Sequence, residues 1–269
     1  MRSALLAAGA ALLGNFLLSL GMTLQKRHIG WIGRKGPRDA AFRLDLLGWL
    51  AGFALMNIQP VFNDLALLGL PPNVVGAAAG SSVAFTAILA SVLLHEGLGL
   101  RRLLWTGAMF AAMGLSAFHA EGSGTRVLPL ALYVSLVPPL IAAALALLAR
   151  RRRRGPGTAL ALAAVAGSLG GFMVLPLAAL RLVGGGDFSL WLGTPYLYLY
   201  IVAGVGAFSV VQLAYKDGRM SQVAPAYYGM QVLWPALASY FAFAAPFDPV
   251  QAAAFVAVAL CVVAIAAER

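Results

Sequence analysis

The chain has 269 residues, of which 61% are apolar and only 10% charged, and its mean hydropathy is +0.87. A water-soluble domain of this length needs far more charge, so the composition excludes an ordinary soluble enzyme or binding module. The formal net charge of +10 would suit nucleic acid, but the basic residues sit in short gaps between apolar runs, with no basic, aromatic-bearing face outside them. Nucleic acid is therefore excluded as a partner, and the lipid bilayer takes its place.

Apolar runs of roughly 20 residues, the length that crosses the hydrocarbon core as a helix, recur along the whole sequence. In chain order they are Ala4–Leu24, Leu44–Leu68, Asn73–Leu94, Leu103–Ala120, Val127–Ala149, Ala159–Val183, Tyr196–Tyr215, Gln222–Ala245 and Val250–Ala267, which predicts an all-α membrane protein of nine spans. Arg2 before the first run resembles the start of a signal peptide, but the run is too long for one and lacks a small-x-small cleavage site, so it reads as a span. The gaps hold turn formers: Gly36-Pro37, Pro71-Pro72, Gly155-Pro156, Gly184-Gly185-Gly186, and Pro246 with Pro249. The single Cys261 lies inside the last run and reads as a packing residue, since it has no second cysteine to bridge.

Charge predicts orientation. Lys26, Arg27, Arg34, Lys35, Arg38 and Arg43 follow the first span, Arg101 and Arg102 the third, Arg150 through Arg154 the fifth, Lys216 and Arg219 the seventh, and Arg269 ends the chain. Sixteen basic residues thus fall on one side, against Arg2, Arg126 and Arg181 on the other. This predicts a multi-pass protein of the cytoplasmic membrane with its N-terminus outside and its C-terminus cytoplasmic. The arginine run reads as a topology anchor, with a lipid-headgroup or partner site as the other reading.

The two halves are weakly similar. Leu89-Ala90-Ser91 matches Leu237-Ala238-Ser239, and the same offset sets Val75 on Val223 and Asp64 on Gln212. Gly14-Asn15 corresponds to Gly167-Ser168. An odd number of spans separates the partners, so the halves are expected in opposite orientation: a first repeat over residues 1–121, a linker span with its basic loop over 122–155, and a second repeat over 156–269. Inverted repeats mark secondary transporters, with the substrate near the midplane.

No ATP-binding loop, metal-hydrolase pattern or catalytic triad is visible, so the chain reads as a non-enzyme without a cofactor. Gly204-x-Gly206 and Gly76-x-x-x-Gly80 lie within spans and read as helix packing. His28, His95 and His119 fall at span ends, where solvation explains them. Polar groups inside spans must find a partner or face a cavity. Asn15 and Ser19 lie in span one, Asn57, Gln59, Asn63 and Asp64 in span two, and Ser81, Ser82 and Thr86 in span three. Their relatives in the second half are Ser168, Ser209, Gln212, Tyr215, Tyr227, Tyr228, Gln231 and Trp234. Taken singly, each could be an interhelical hydrogen bond; as a set in matching spans they suggest a cavity lining. Pro60, Pro176, Pro225 and Pro235 lie inside spans, as kinks or as breaks that line a site.

Gln212-Leu-Ala-Tyr215-Lys216, followed by Val223-Ala-Pro225-Ala-Tyr227-Tyr228, resembles a Q-x-x-Y then V-x-P-x-Y-Y pattern of the drug/metabolite transporter superfamily (DMT, EamA-like), in its NIPA-like branch of magnesium transporters. Ser91-Val-Leu-Leu-His95-Glu96-Gly-Leu resembles the acidic signature at the corresponding helix end, and Gly107 fits as well. The resemblance implies a DMT-like fold of nine helices and a divalent-cation substrate. At Pro60 the chain departs from the family, which has a glutamate there, while Asn63 keeps the asparagine. Magnesium favours carboxylate oxygens, so Asp64 is the candidate metal ligand. A small solute is expected between spans one to three and six to eight, held by Asn15, Asn57, Gln59, Asn63, Gln212, Tyr215, Tyr228 and Gln231. Rival expectations are an exporter of a neutral or weakly charged organic metabolite, and a non-transporting membrane scaffold. A second copy of the chain is a candidate partner.

Overall fold

The computed structural model describes residues 2–32, 39–70, 72–97, 99–119, 128–184, 188–243 and 248–267. Arg34, Lys35, Gly36, Pro37, Arg38, Pro71, Arg126, Gly185, Gly186, Pro246, Arg269 and the expected boundary at 121/122 lie outside the described residues. Among those described there is no strand.

Each predicted apolar run is helical over most of its described residues; Ala120, Val127 and Ala245, which bound three of the runs, lie outside those residues. The helices are α1 (Arg2–Arg27), α2 (Ala40–Leu67), α3 (Pro72–Ala79), α4 (Ser81–Leu94), α5 (Leu100–Phe118), α6 (Pro129–Arg152), α7 (Pro156–Phe172), α8 (Val174–Gly184), α9 (Phe188–Leu192), α10 (Pro195–Asp217), α11 (Met220–Phe243) and α12 (Pro249–Ala267). Helix starts follow local chemistry. Asp39 accepts from Ala41 N at 2.9 Å to cap α2, and a proline in the first turn opens α6, α7 and α10, where its missing N–H costs nothing.

Among the described residues six helical stretches are long and apolar enough to cross a membrane: Leu5–Trp31, Ala40–Leu67, Pro129–Arg152, Pro156–Val183, Pro195–Asp217 and Pro249–Ala267. The chain is a polytopic α-helical membrane protein. The other three predicted spans differ for identifiable reasons. The third is interrupted at Gly80 into pieces of 8 and 14 residues. The fourth, α5, opens on Arg101 and Arg102, and the eighth, α11, carries Ser221, Gln222, Tyr227, Tyr228, Gln231 and Trp234.

The outward faces are those of a protein in lipid. On α6, Leu132, Leu136, Ala143 and Ala146 are buried, while Leu130, Val134, Val137, Ile141, Leu145 and Leu148 are exposed. Both faces are apolar. Water would not tolerate an exposed stripe of that length, and the hydrocarbon core favours it.

Contacts divide the chain into two compact units. One comprises Met1–Ala120, Arg219–Pro225 and Val250–Arg269; the other comprises Glu121–Gly218 and Ala226–Pro249. In the first unit α1 packs along α2 and against α4. Gly14 meets Phe62, Gly21 meets Gly52, and His28 lies over Gly48, so the two helices run antiparallel. A Cβ on Gly21 would fall 2.5 Å from the Gly52 carbonyl oxygen, and one on Gly52 would fall 2.6 Å from that of Gly21. Only glycine permits this backbone approach. His28 Nδ1 pairs with Asp45 Oδ1 at 3.2 Å beside an aromatic cluster in which Trp31 meets Trp49 edge-on at 5.4 Å.

In the second unit α7 packs on α10 and α6. Arg150 forms a two-pronged ion pair with the buried Asp217 carboxylate. This joins the C-terminal ends of α6 and α10, and it neutralises an acid that would otherwise oppose the α10 dipole. Leu128 N donates to Ala242 O at 2.8 Å, holding the start of α6 to the end of α11.

Candidate functional site

Each unit contains a polar cluster at the packing surface of its central helix. In the first unit the cluster forms around the break at Gly80. Asn15, 1% exposed, donates through Nδ2 to Ala78 O at 2.9 Å and accepts from Ser82 Oγ at 3.3 Å. Ser19 Oγ lies 2.8 Å from Asn15 O and 3.1 Å from Ser82 O, with both carbonyls placed to accept its one proton. Thr23 Oγ1 donates to Ser19 O at 2.8 Å. The stripe Asn15, Ser19, Thr23 has the four-residue spacing of one helix face, so a single side of α1 carries the polar seam. Ser81 Oγ and Thr86 Oγ1 are buried on the same helix as Ser82 and have no hydrogen-bond partner among the described residues. Phe16 and Phe85 close one flank, edge to face at 5.7 Å.

The span-two residues are placed differently. Asn57 is exposed, and its Nδ2 returns to Phe53 O on its own helix at 2.8 Å. Gln59 and Asn63 are half-buried, and Asp64 is exposed. Pro60 stays inside a continuous α2, so it does not break this helix. No cluster of three or more His, Cys, Asp or Glu side chains forms among the described residues.

In the second unit the cluster lies where α7 meets α11. Gly167 abuts the Tyr227 carbonyl, and Gly171 abuts Gln231 O and Pro235. Gly170 between them faces the Tyr227 hydroxyl and Gln231 Nε2. A Gly-x-x-x-Gly pair here admits the polar face of α11, and the sequence reading assigned that packing role to other glycines. Tyr227 and Tyr228 meet edge-on at 5.4 Å. Tyr215 of α10 is 1% exposed and lies within electrostatic reach of both phenols, and Gln212, one turn earlier, is buried as well. Tyr215, Tyr228 and Gln231 of the expected residues thus gather with Tyr227, which belongs to the same cluster although it was expected only as a relative. Ser168 is turned back onto Ala164 O at 3.0 Å.

Glu96 has a definite partner. His95 ends α4 with φ 55°, the left-handed conformation usual for Gly or Asn, and Glu96 N closes the turn on Ala90 O at 3.2 Å. That turn sends the Glu96 carboxylate to the start of α11, where it accepts from Met220 N at 2.7 Å and Ser221 N at 2.8 Å. The buried Arg102 donates to Gly97 O at 3.2 Å and Ser221 Oγ at 3.1 Å, completing the clamp. Sequence reading treated Arg102 only as a topology charge, and no local pattern points to Ser221.

No family model, curated protein or solved structure matches the chain.

Proposed function

We propose that the chain is a secondary transporter of the drug/metabolite type, moving a small polar solute across the cytoplasmic membrane by alternating access. In this reading it has nine spans in inverted repeats over 1–121 and 156–269, with 122–155 as linker, its N-terminus outside and its C-terminus cytoplasmic. The observation that carries the reading is the interruption at Gly80, where the backbone stays near helical (φ −58°, ψ −24°) and the Ala78 carbonyl meets the Asn15 amide. Discontinuous helices with freed carbonyls serve as solute and ion sites in such proteins. The pairing of helices supports it too. The first helix of each expected repeat, α1 and α7, meets the second and third helices of that repeat within one unit.

The NIPA-like resemblance makes a divalent cation such as magnesium the first substrate. A second reading, an organic metabolite of low charge, is favoured by the groups that converge: an amide with hydroxyls in one unit, and phenols with Gln231 in the other. Such groups hydrogen-bond a solute and wall it with rings. Purified chain in liposomes, assayed for Mg²⁺ entry and for counterflow of labelled amino acids and amines, separates the readings. Magnesium transport predicts that Asp64→Asn abolishes entry. Metabolite transport predicts that Tyr228→Ala lowers flux by about tenfold, equivalent to about 1.4 kcal/mol of lost binding. Asn15→Ala should impair either, because it removes two hydrogen bonds that tie the break to α1. Flux of neither class from folded protein overturns the transporter reading and leaves a membrane scaffold.

A further inference from the structure

We infer that the groove between α5 and α12 is a binding site for an anionic phospholipid. The groove has a volume of about 600 Å³ and is lined by Arg101, Leu104, Trp105, Ala108, Ala264 and Ala267. Its two helices are antiparallel. At their far ends Gln251 Nε2 donates to Ser116 O at 3.3 Å, so the seam is closed there and opens toward the start of α5. From Leu104 to Ser116 the helix rises about 18 Å, over half the depth of the hydrocarbon core, so the groove sits at one end of a long seam.

Its chemistry is divided along that direction. Arg101 stands at the mouth, exposed, in the first turn of α5, where the helix dipole adds positive potential. Its neighbour Arg102 is occupied with Gly97 O and Ser221 Oγ, whereas Arg101 has no ion pair among the described residues. Trp105, one turn deeper and 40% exposed, has the amphipathic ring usual at the headgroup level. Leu104 stands at the same level, and the deeper wall is made by the small side chains of Ala108 and Ala264, leaving a slot for a hydrocarbon chain. A cation over an aromatic over an apolar slot matches a phosphate headgroup joined to an acyl tail. An inorganic anion would use only the mouth, and a zwitterionic lipid would bring its own cation against Arg101. Basic sites between spans on the positively charged side of a membrane protein recognise anionic lipids on the same principle.

The test is lipid retention by native mass spectrometry of the delipidated full chain, given phosphatidylglycerol and phosphatidylcholine in equal amounts. Phosphatidylglycerol should be retained about fivefold more, the effect expected of one arginine near an anionic headgroup. Arg101→Gln should abolish the preference and Arg101→Lys should keep it. Ala108→Leu with Ala264→Leu, which fills the slot, should reduce phosphatidylglycerol retention to the phosphatidylcholine level. Inorganic phosphate should not compete. Equal retention of the two lipids by the native chain overturns the proposal. So does displacement by inorganic phosphate with no effect of the leucines, which would mark a free-anion site. Arg101 is exposed, so its variants leave the packing intact, and an unchanged elution profile checks this.

Discussion

A carboxylate at a helix N-terminus is stabilised by hydrogen bonds from unsatisfied N–H groups and by the helix dipole. Glu96 does this for α11, which has no acidic residue in its own first turn, and both of its oxygens are used. Glu96→Gln should keep one acceptor and lose the charge, costing about 1 kcal/mol, and Glu96→Ala about 2 kcal/mol. Thermal unfolding in detergent should therefore rank native above Gln above Ala. Equal midpoints for all three would mean that the clamp contributes nothing. The sequence marked Glu96 as part of an acidic signature, and it marked Asn15 as a polar group needing a partner. It did not reveal their partners, because Glu96 and Met220 are 124 residues apart and Asn15 and Ala78 are 63 apart. Asn57 shows the converse: a polar residue in a span satisfied by its own backbone, which spacing alone does not distinguish from a cavity lining.

At the scale of helices, glycine acts in two opposite ways. Gly52 is fixed by the backbone of α1, where an added Cβ would lie 2.6 Å from Gly21 O and 2.9 Å from Gln25 N. Backbone cannot yield as a flexible side chain does, so Gly52→Val should separate α1 from α2 and cost about 3 kcal/mol or more, as overpacking at its worst does. Gly107 in α5 has nothing within 4 Å of an added Cβ. Gly107→Ala should therefore stabilise the protein by about 0.5–1 kcal/mol through helix propensity alone. Unfolding midpoints that move the same way for both substitutions would contradict this account. Apolar runs located every major helix because their length is set by the bilayer. They did not locate the break at Gly80, where no proline signals it, and they missed the helix Phe188–Leu192, which is shorter than two turns. At Met173 the interruption follows from Pro176, which cannot donate to the preceding turn.

For the whole molecule, labelling from the two sides counts the crossings. Six helical stretches meet the length and apolarity of a span. The nine-span reading adds the broken α3–α4 segment, α5 and α11. The two arrangements disagree at three places, and at α5 a crossing sets Gly97 and Leu128 on opposite sides. If α3–α4 crosses, Gly69 and Gly97 face opposite sides; if it does not, they share one. If α11 crosses, Gly218 and Pro249 are likewise opposed. The chain suits the test, because its one native thiol, Cys261, is buried and can be replaced by serine. Single cysteines at Gly69, Gly97, Leu128, Arg153, Gly193, Gly218 and Pro249 can then be probed in intact cells with a membrane-impermeant maleimide. Nine spans with the basic loops cytoplasmic predict labelling of Gly69→Cys, Leu128→Cys, Gly193→Cys and Pro249→Cys from outside. Gly97→Cys, Arg153→Cys and Gly218→Cys should react only after permeabilisation. Labelling of Gly69→Cys and Gly97→Cys from the same side would remove the third crossing, and with it the equal halves on which an inverted repeat depends. A complete reversal would keep the repeat and overturn the charge rule for this chain. The polar character of α11, which lowers its hydropathy, makes the Gly218–Pro249 pair the sharper comparison. A helix bearing Tyr227, Tyr228 and Gln231 crosses lipid only if those groups are covered by protein or by a solute path.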